Sequence, residues 1–303
     1  MSESRQSHEP RPLGKSGISV SPLAWGMWRF KGESVADARL LVETALESGI
    51  TLLDTADVYG ADTPYGFGSS EGLLGKVLRD APHLREKFVL ASKGGIILGV
   101  PYDSSADYLV SACEASLQRL GVEKIDLYQI HRPDVLAHPA EIAAALTKLR
   151  EQGKIDAVGV SNYLPSQVAA LQAHLPFALA SIQPEFSPLT IEPLSDGVLD
   201  QALERDLAVL AWSPLGGGRL VGQGTDDRGR AVIEALDVIA REQLVDRAAV
   251  ALAWIMAHPS RPIPIVGSQT PERIKASADA LRVKLSRTQW YAILTASRGV
   301  PLP

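Results

Sequence analysis

The sequence predicts an α/β protein built as a (β/α)8 TIM barrel, that is, a closed parallel barrel of eight strands. Eight short apolar runs alternate with amphipathic helical patterns along the 303-residue chain, and parallel strands require such helical crossovers. Eight units of this kind close naturally into a barrel. The alternative, a doubly wound open sheet, expects a glycine-rich phosphate-binding turn after its first strand. Residues 24–28 read Ala-Trp-Gly-Met-Trp and lack that turn, which favours the barrel.

The predicted elements follow one another along the chain. We expect strands at residues 23–25, 51–54, 88–92, 127–130, 157–161, 181–183, 208–212 and 263–266. Helical patterns lie at residues 35–48, 70–79, 105–120, 140–152, 165–174, 197–205, 230–242 and 246–257. Gly14 and Gly17 indicate a short N-terminal hairpin, and residues 271–281 and 287–297 predict extra C-terminal helices. Glycines at 49 and 121 are expected to end helices, and Pro165 to begin one.

Composition narrows the class of protein. Hydrophobic residues make up 46% of the chain and charged residues 21%, which is typical of a globular enzyme forming one domain over residues 1–303 with a flexible start at 1–10. A net charge of −5 provides no basic excess for nucleic acid or a membrane surface. A single cysteine, no apolar N-terminal signal and no run of about 18 apolar residues predict a cytoplasmic protein.

Four polar residues stand at or just beyond the ends of three consecutive predicted strands: Asp54, Tyr59, Lys93 and His131. Catalytic groups of such barrels lie at the rim formed by the carboxyl ends of the strands. We therefore expect the four to meet around one small molecule and to transfer a proton. Taken singly, each also fits an ordinary role: a turn cap, an exposed loop tyrosine, a solvated strand end or a core histidine. Gln129 fits less well, because inside the barrel it needs a polar partner.

Two other kinds of site lack support in the sequence. A zinc site needs a pair of His or Cys ligands at characteristic spacing, and the rim offers one histidine and one aspartate. Acyl transfer by a Ser/His/Asp triad is not indicated either, because the chain contains no Gly-x-Ser-x-Gly elbow. Because the rim lacks a second His or Cys ligand, we expect no metal ion at the site.

The rim residues stand in segments that resemble the aldo-keto reductase superfamily. These segments are Asp-Thr-Ala-Asp-Val-Tyr-Gly at 54–60, Lys93, His-Arg-Pro at 131–133, Gly-Lys-Ile-Asp-Ala-Val-Gly-Val-Ser-Asn at 153–162, Trp-Ser-Pro-Leu-Gly at 212–216 and Ile-Pro-Ile-Val-Gly-Ser at 263–268. They occur in family order, and residues 132–134 and 289–290 look closest to a bacterial oxidoreductase branch. The resemblance implies reduction of a small-molecule aldehyde or ketone to an alcohol with NADPH.

The resemblance also implies roles for the four rim residues. Tyr59 is expected to donate a proton to the carbonyl oxygen, and His131 to orient that oxygen as a neutral imidazole. A lysine ammonium about 4 Å from a phenol, at an effective dielectric near 20, favours the phenolate by roughly 4 kcal/mol. Lys93 is therefore expected to lower the pKa of Tyr59, while Asp54 pairs with Lys93 and offsets part of the effect.

Cofactor contacts carry over from the family by position. Ser161, Asn162 and Gln183 match residues that bind the nicotinamide carboxamide, and Trp212 matches the aromatic residue that stacks on the ring. The remaining matches are Ser213, Leu215 and Gly217 at the pyrophosphate, and Gly267, Ser268 and Arg273 at the adenosine end. The chain departs from the family at Gln269, where many relatives carry a basic residue. NADPH is the expected cofactor, with NADH as the alternative.

The loop after Gly60 is longer than usual for the family. Tyr65 and Phe67 lie in it, and together with Trp28 they are expected to form an aromatic wall for an apolar or cyclic carbonyl compound. The chain is expected to act as a monomer or weak oligomer.

Two other functions remain open at this point. One is a cofactor-binding regulatory subunit, since some relatives attach to ion channels. The other is a lyase that forms a Schiff base on Lys93, because barrel lysines often serve that role.

Overall fold

Eight parallel strands close into a barrel in chain order, with the last strand paired to the first, which confirms the predicted fold class. The strands are β3 (Ala24–Gly26), β4 (Leu52–Asp54), β5 (Val89–Gly94), β6 (Ile125–Ile130), β7 (Ile155–Ser161), β8 (Ser181–Gln183), β9 (Ala208–Ala211) and β10 (Ile263–Val266). Before them, β1 (Arg11–Pro12) and β2 (Ser19–Val20) form the antiparallel hairpin. This computed structural model describes residues 8–222 and 226–302; the flexible start expected at residues 1–10 falls mostly outside that range.

The helices surround the barrel and follow the strands in alternation. They are α1 (Val35–Glu47), α2 (Ser69–Asp80), α3 (Ala106–Leu120), α4 (Pro139–Glu151), α5 (Pro165–Gln172), α6 (Val198–Arg205), α7 (Asp227–Gln243), α8 (Arg247–Met256), α9 (Pro271–Ser277) and α10 (Arg287–Arg298). Local signals set several ends: Ser34 and Ser105 cap α1 and α3 by accepting backbone N–H bonds, and Gly121 ends α3 with a φ of 67°. Pro165 begins α5 as predicted.

Alternate strand residues fill the inside of the barrel. Leu52, Ala91, Leu127 and Leu210 belong to one apolar cluster, as their shared parity predicts. The hairpin residues Leu13 and Val20 join the same cluster and close the barrel end where the strands begin. Each fully buried leucine contributes about 1.5–3 kcal/mol to stability. The opposite end, at the carboxyl ends of the strands, is left to polar residues.

A larger apolar cluster fills the space between the barrel and its helices. Within it, Trp254 of α8 and Trp290 of α10 stack with ring centroids 5.0 Å apart. Each indole Nε1 donates to the backbone oxygen of the other tryptophan at 3.0 Å. This reciprocal pair fixes the C-terminal helix α10 onto α8.

No helix in the described parts of the chain, 8–222 and 226–302, has the length and apolar character needed to cross a membrane.

Candidate active site

Lys93 lies at the centre of a buried cluster at the carboxyl ends of β4 and β5. Its Nζ donates to Asp54 Oδ2 at 2.6 Å, to the Thr55 carbonyl oxygen at 2.9 Å and to Tyr59 OH at 3.1 Å. The rings of Tyr59 and His131 meet edge to face with centroids 5.8 Å apart. Lys93 is completely buried and Asp54 is 2% exposed, so water screens their ion pair little. The structure therefore brings together all four side chains that the sequence placed at neighbouring strand ends.

A tight turn after β4 places Tyr59 over Lys93. The backbone N–H of Asp57 donates to the Lys93 carbonyl oxygen at 3.0 Å, which anchors the turn to β5. Gly60 follows with a φ of 97°, and a Cβ there would lie 2.9 Å from the Gly66 carbonyl oxygen. Glycine is therefore required immediately after the tyrosine.

The second carboxylate oxygen of Asp54 has its own partners inside the barrel. Asp54 Oδ1 accepts from Gln183 Nε2 at 3.1 Å and from Gln129 Nε2 at 3.3 Å. Gln183 Nε2 also lies 3.3 Å from Gln129 Oε1. These contacts supply the polar partners that Gln129 needs inside the barrel.

Burial of the phenol raises the pKa of Tyr59 above its ordinary value, although the adjacent Lys93 acts in the opposite direction and Asp54 reinforces the rise. Lys93 acts on the pKa of Tyr59 in the expected direction and Asp54 offsets part of it, but the net lowering expected from the sequence does not occur, because desolvation outweighs the attraction of the ammonium. The consequence is a phenol that remains protonated near neutral pH.

Burial disfavours the charged form of Lys93, yet the pKa of Lys93 is raised because attraction and hydrogen bonds from Asp54 and Tyr59 outweigh it. A lysine that forms a Schiff base must be unprotonated to attack a carbonyl carbon. Since Lys93 is fully buried and donates to three oxygens, the geometry disfavours the lyase.

The histidine at the rim is uncharged. Burial, together with the positive charges of Lys93 and Arg132, places the pKa of His131 well below its ordinary value. A neutral imidazole carries one N–H donor, as expected for a residue that orients a carbonyl oxygen. Its Nδ1 is buried and has no hydrogen-bond partner within the described part of the chain.

A cavity of about 1900 Å³ opens beside this cluster and runs across the rim of the barrel. Ordinary small-molecule sites occupy about 300–1,000 Å³, so this cavity has room for more than one ligand. Asp54, Tyr59, His131 and Trp28 line it at one end. Every residue that the sequence assigned to the cofactor also lines it: Ser161, Asn162, Gln183, Trp212, Ser213, Leu215, Gly217, Gly267, Ser268 and Arg273.

A hydrogen-bonded group at the ends of β7, β8 and β9 holds the part of the cavity next to His131. Trp212 Nε1 donates to Asn162 Oδ1 at 2.9 Å, and Asn162 Nδ2 donates to Ser161 Oγ at 2.8 Å. Ser161 Oγ donates to the Gln183 carbonyl oxygen at 3.0 Å. Asn162 has a φ of 59°, a left-handed conformation that asparagine tolerates better than most residues. The indole ring and the amides are thus fixed relative to one another.

The far part of the cavity is shaped by glycines and held to the first barrel strand. Gly217 and Gly218 have positive φ, and a Cβ on either would meet no protein atom within 4 Å. Trp25 Nε1 donates to the Ser268 carbonyl oxygen at 2.9 Å, and Gln269 Nε2 donates to the Gly26 carbonyl oxygen at 3.1 Å. Gln269 therefore supports the loop through a neutral amide.

These features fit a nicotinamide dinucleotide. The indole of Trp212 offers an aromatic surface, and backbone amides near Gly217 are accessible without side-chain interference. Arg273 lines the far end of the cavity, where a phosphate is suitably bound by a guanidinium.

The predicted aromatic wall is only partly present. Trp28 lines the cavity and is 56% exposed. Tyr65 and Phe67 are not among the cavity-lining residues, and Phe67 lies beneath the guanidinium of Arg119, 5.9 Å from the ring centroid. Phe67 thus packs against Arg119 instead of lining the cavity, and the contact of Tyr65 and Phe67 with a substrate stays a prediction.

Sequence reasoning missed two cations near the cavity. Arg132 follows His131, lines the cavity, and places its guanidinium carbon 5.6 Å from the Trp212 ring centroid. Arg29 lines the cavity next to Gly267; its Nη1 would lie 3.7 Å from a Cβ built there. Both directly follow residues that the sequence did single out, Trp28 and His131, and this adjacency is the signal that could have found them.

Comparison with known proteins agrees with this geometry. A sequence model of the aldo/keto reductase family matches residues 22–297. The chain belongs to the aldo/keto reductase family. Within it, the protein is an oxidoreductase, as the sequence resemblance implies.

Relatives in this family align over almost the whole chain. A 6-dehydroglucose reductase of Novosphingobium aromaticivorans is 53% identical over 295 residues, covering 97% of each chain. A second 6-dehydroglucose reductase, from Agrobacterium fabrum, is 36% identical over 294 residues, covering 93% of this chain and 96% of the relative.

A solved structure shares the aldo/keto reductase fold. A thermostable aldo-keto reductase, crystallised with the inhibitor epalrestat, superposes with a TM-score of 0.81 at 24% identity. The match covers 95% of this chain and 99% of that one. At this level of identity the likeness supports the fold alone.

Proposed function

We propose that this protein reduces an aldehyde to an alcohol with NADPH, and that Tyr59 donates the proton. The observation that carries the proposal is the contact between Lys93 Nζ and Tyr59 OH at 3.1 Å, beside a cavity lined by the family's cofactor segments. When bound, the reduced nicotinamide supplies a hydride to the carbonyl carbon.

Each of the four clustered residues has its own role in the reaction at the carbonyl oxygen. Negative charge grows on that oxygen as the carbon is reduced, so the Tyr59 phenol donates its proton there. The Lys93 ammonium stabilises the phenolate that remains, and Asp54 holds the ammonium in place. His131, as a neutral imidazole, donates a hydrogen bond to the same oxygen and orients it.

The other cavity residues hold the cofactor in this proposal. Ser161, Asn162 and Gln183 bind the nicotinamide carboxamide, and Trp212 supports the ring. Backbone groups at Ser213, Leu215 and Gly217 bind the pyrophosphate. These assignments rest on their position in the cavity and on the family membership of the chain.

NADPH is preferred over NADH in this account because of the adenosine end. Gly267 and Ser268 line that end, and Arg273 provides a guanidinium suited to the 2′-phosphate. Gln269 contributes a neutral amide that is already bound to the Gly26 carbonyl oxygen. Arg29 adds a second cation next to Gly267, and NADH, which lacks the 2′-phosphate, binds more weakly than NADPH but remains usable.

The substrate proposed here is a hydroxylated aldehyde of the sugar type. A relative that is 53% identical over 97% of both chains carries the name 6-dehydroglucose reductase. Beside Tyr59, the cavity is lined by Trp28, Asp62 and Arg132. An aromatic surface for carbon atoms, combined with charged groups that bind hydroxyls, suits a sugar better than a purely apolar carbonyl compound.

The test is a carbonyl panel followed by the absorbance of the reduced nicotinamide. With saturating NADPH, 6-dehydroglucose should be turned over with a higher kcat/KM than hexanal or benzaldehyde, and NADPH should outperform NADH. Tight cofactor binding without turnover of any aldehyde would instead favour the cofactor-binding regulatory subunit. A higher kcat/KM for hexanal would remove the sugar proposal while leaving the reductase intact.

A further inference from the structure

Gln129 is a fully buried amide inside the barrel that the proposed reaction leaves without a role. It lies on β6, two residues before His131. Its side chain contacts both Asp54, which belongs to the proton-donor cluster, and Gln183, which belongs to the proposed nicotinamide site. Its Nε2 donates to Asp54 Oδ1 at 3.3 Å, and its Oε1 accepts from Gln183 Nε2 at 3.3 Å. Gln183 Nε2 in turn donates to Asp54 Oδ1 at 3.1 Å.

The neighbouring strands leave room for this side chain. In the strand register Gln129 is paired with Lys93 of β5 and with Gly159 of β7. A Cβ at Gly159 would lie 3.1 Å from Gln129 Cγ and closer still to Ser181 Oγ. A side chain at position 159 would therefore compete with the amide for the same interior space.

The carboxylate determines how the two amides are oriented. An ionised carboxylate only accepts hydrogen bonds, so both glutamines must turn their NH₂ groups toward Asp54. The Gln183 NH₂ group has two hydrogens, and its contacts with Asp54 and Gln129 use both. Gln183 is left to present its carbonyl oxygen to a ligand, which matches the N–H of a carboxamide.

We propose that Gln129 is a positioning residue, which fixes the orientation of Gln183 at the nicotinamide and shares the Asp54 carboxylate with Lys93. The inference rests on the proposed function and adds a link between cofactor binding and proton transfer. Without the Gln129 amide, Gln183 loses one of its two acceptors and keeps only Asp54 Oδ1, so its orientation is less fixed and the cofactor is bound less tightly.

The same loss alters the environment of the proton donor. The charged and titratable groups facing Tyr59 are Asp54 from β4, Lys93 from β5, and His131 with Arg132 after β6. With one donor fewer on its carboxylate, Asp54 attracts the Lys93 ammonium more strongly. The pKa of Tyr59 then rises. The rise reduces the fraction of phenolate, which alcohol oxidation needs, whereas the phenol that donates in aldehyde reduction stays the populated form.

The experiment compares Gln129→Met, which keeps the length of the side chain, with Ser181→Ala as a control. Ser181 is buried in the same layer, and its hydroxyl has no hydrogen-bond partner in the described part of the chain. Gln129→Met should raise the Kd of NADPH, measured by nucleotide fluorescence, about three- to tenfold. It should also lower kcat for alcohol oxidation at pH 8 by roughly threefold or more, and change kcat for aldehyde reduction at pH 6.5 less than about twofold.

Several results would overturn the inference. An unchanged Kd in Gln129→Met, an equal loss of rate in both directions, or the same changes in Ser181→Ala would show that Gln129 only fills space. A fall in melting temperature of more than about 10 °C in both Gln129→Met and Gln129→Leu would mark it as structural. The binding measurement does not depend on turnover. An inactive wild-type protein would therefore reject the proposed function, while the Kd of NADPH for Gln129→Met would still decide the positioning role of Gln129.

Discussion

The ammonium nitrogen of Lys93 lies 3.1 Å from the phenol oxygen of Tyr59 and 2.6 Å from the carboxylate of Asp54. The shorter contact is the one to Asp54, so Lys93 neutralises a buried carboxylate first and polarises the phenol second. Burial of the phenol, with a smaller contribution from Asp54, raises the pKa of Tyr59 in spite of this neighbouring cation. In the proposed aldehyde reduction, the protonated Tyr59 phenol is the donor, and Lys93 stabilises the phenolate that remains.

The first prediction concerns the stability of the ion pair. Replacing Lys93 by Met should lower the free energy of unfolding by about 3–5 kcal/mol, because Asp54 is left buried and unpaired. Urea denaturation of wild type and variant measures the loss. The double variant Lys93→Met with Asp54→Asn should recover at least half of it, since no uncompensated charge remains. A single variant within about 1 kcal/mol of wild type would show that the pair is better hydrated than its burial implies.

The second prediction concerns Asp57, which lies beneath the cluster. The residue is 1% exposed, and neither carboxylate oxygen has a hydrogen-bond partner among residues 8–222 and 226–302. Burial, with a smaller contribution from Glu71, raises the pKa of Asp57 to about 8. In the unfolded chain an aspartate titrates near pH 3.9. The folded state therefore holds a proton that the unfolded state releases, and stability should fall as pH rises from about 4 to about 8.

Asp57→Asn should flatten that pH dependence and stabilise the protein at pH 8 by about 1–3 kcal/mol. Asp62→Asn is the matched control, because Asp62 is exposed in the following loop. Urea denaturation at pH 5, 6.5 and 8 measures all three proteins. If Asp57→Asn and wild type lose stability in parallel over this range, the charged form of Asp57 is accommodated in the fold.

Strand parity made much of the site predictable from the sequence. Leu52 and Asp54 are two residues apart in one strand, as are Ala91 and Lys93 in the next, so each pair faces the same side. Because the first residue of each pair faces the apolar interior of the barrel, the second meets its neighbours at the rim. The position of Tyr59 also followed, because the turn that contains it is short and ends at Gly60. Backbone hydrogen bonds to β5 from Thr55 and Asp57 anchor this first part of the connection between β4 and α2, which leaves it few conformations.

The features that the sequence did not predict lie in a long loop and in interactions between residues that are far apart in the chain. The loop carrying Tyr65 and Phe67 has several acceptable courses, and the contact of Phe67 with Arg119 of α3 depends on tertiary packing. The pKa of Tyr59 depends on how burial compares with the attraction of Lys93, which a sequence does not specify. The partners of Gln129 come from two other strands, so only the closed barrel identifies them.

The third prediction separates the two aromatic positions. Trp28→Ala should raise KM for the aldehyde substrate about tenfold, because it removes a large side chain that lines the cavity. Phe67→Ala should leave KM unchanged within about twofold, since Phe67 packs on Arg119 outside the cavity. Steady-state kinetics with one aldehyde at saturating NADPH makes the comparison. Equal effects of the two substitutions would mean that the loop closes onto the substrate.

The fourth prediction concerns the choice of cofactor. Arg273→Met should raise the Kd of NADPH about ten- to a hundredfold, because a charge-assisted hydrogen bond to the 2′-phosphate is lost. The Kd of NADH should change less than about twofold, since NADH has no phosphate at that position. Fluorescence titration with both nucleotides gives the two constants. Similar losses for both nucleotides would place the 2′-phosphate away from Arg273.

The most direct measurement is aldehyde reduction by the variant Tyr59→Phe, with NADPH binding followed in the same preparation. The account predicts a Kd for NADPH within about threefold of wild type and a kcat lowered by roughly a hundredfold or more, because the ring remains while its proton is removed. If Tyr59→Phe instead reduces the aldehyde at a rate comparable to wild type, the proton comes from another group.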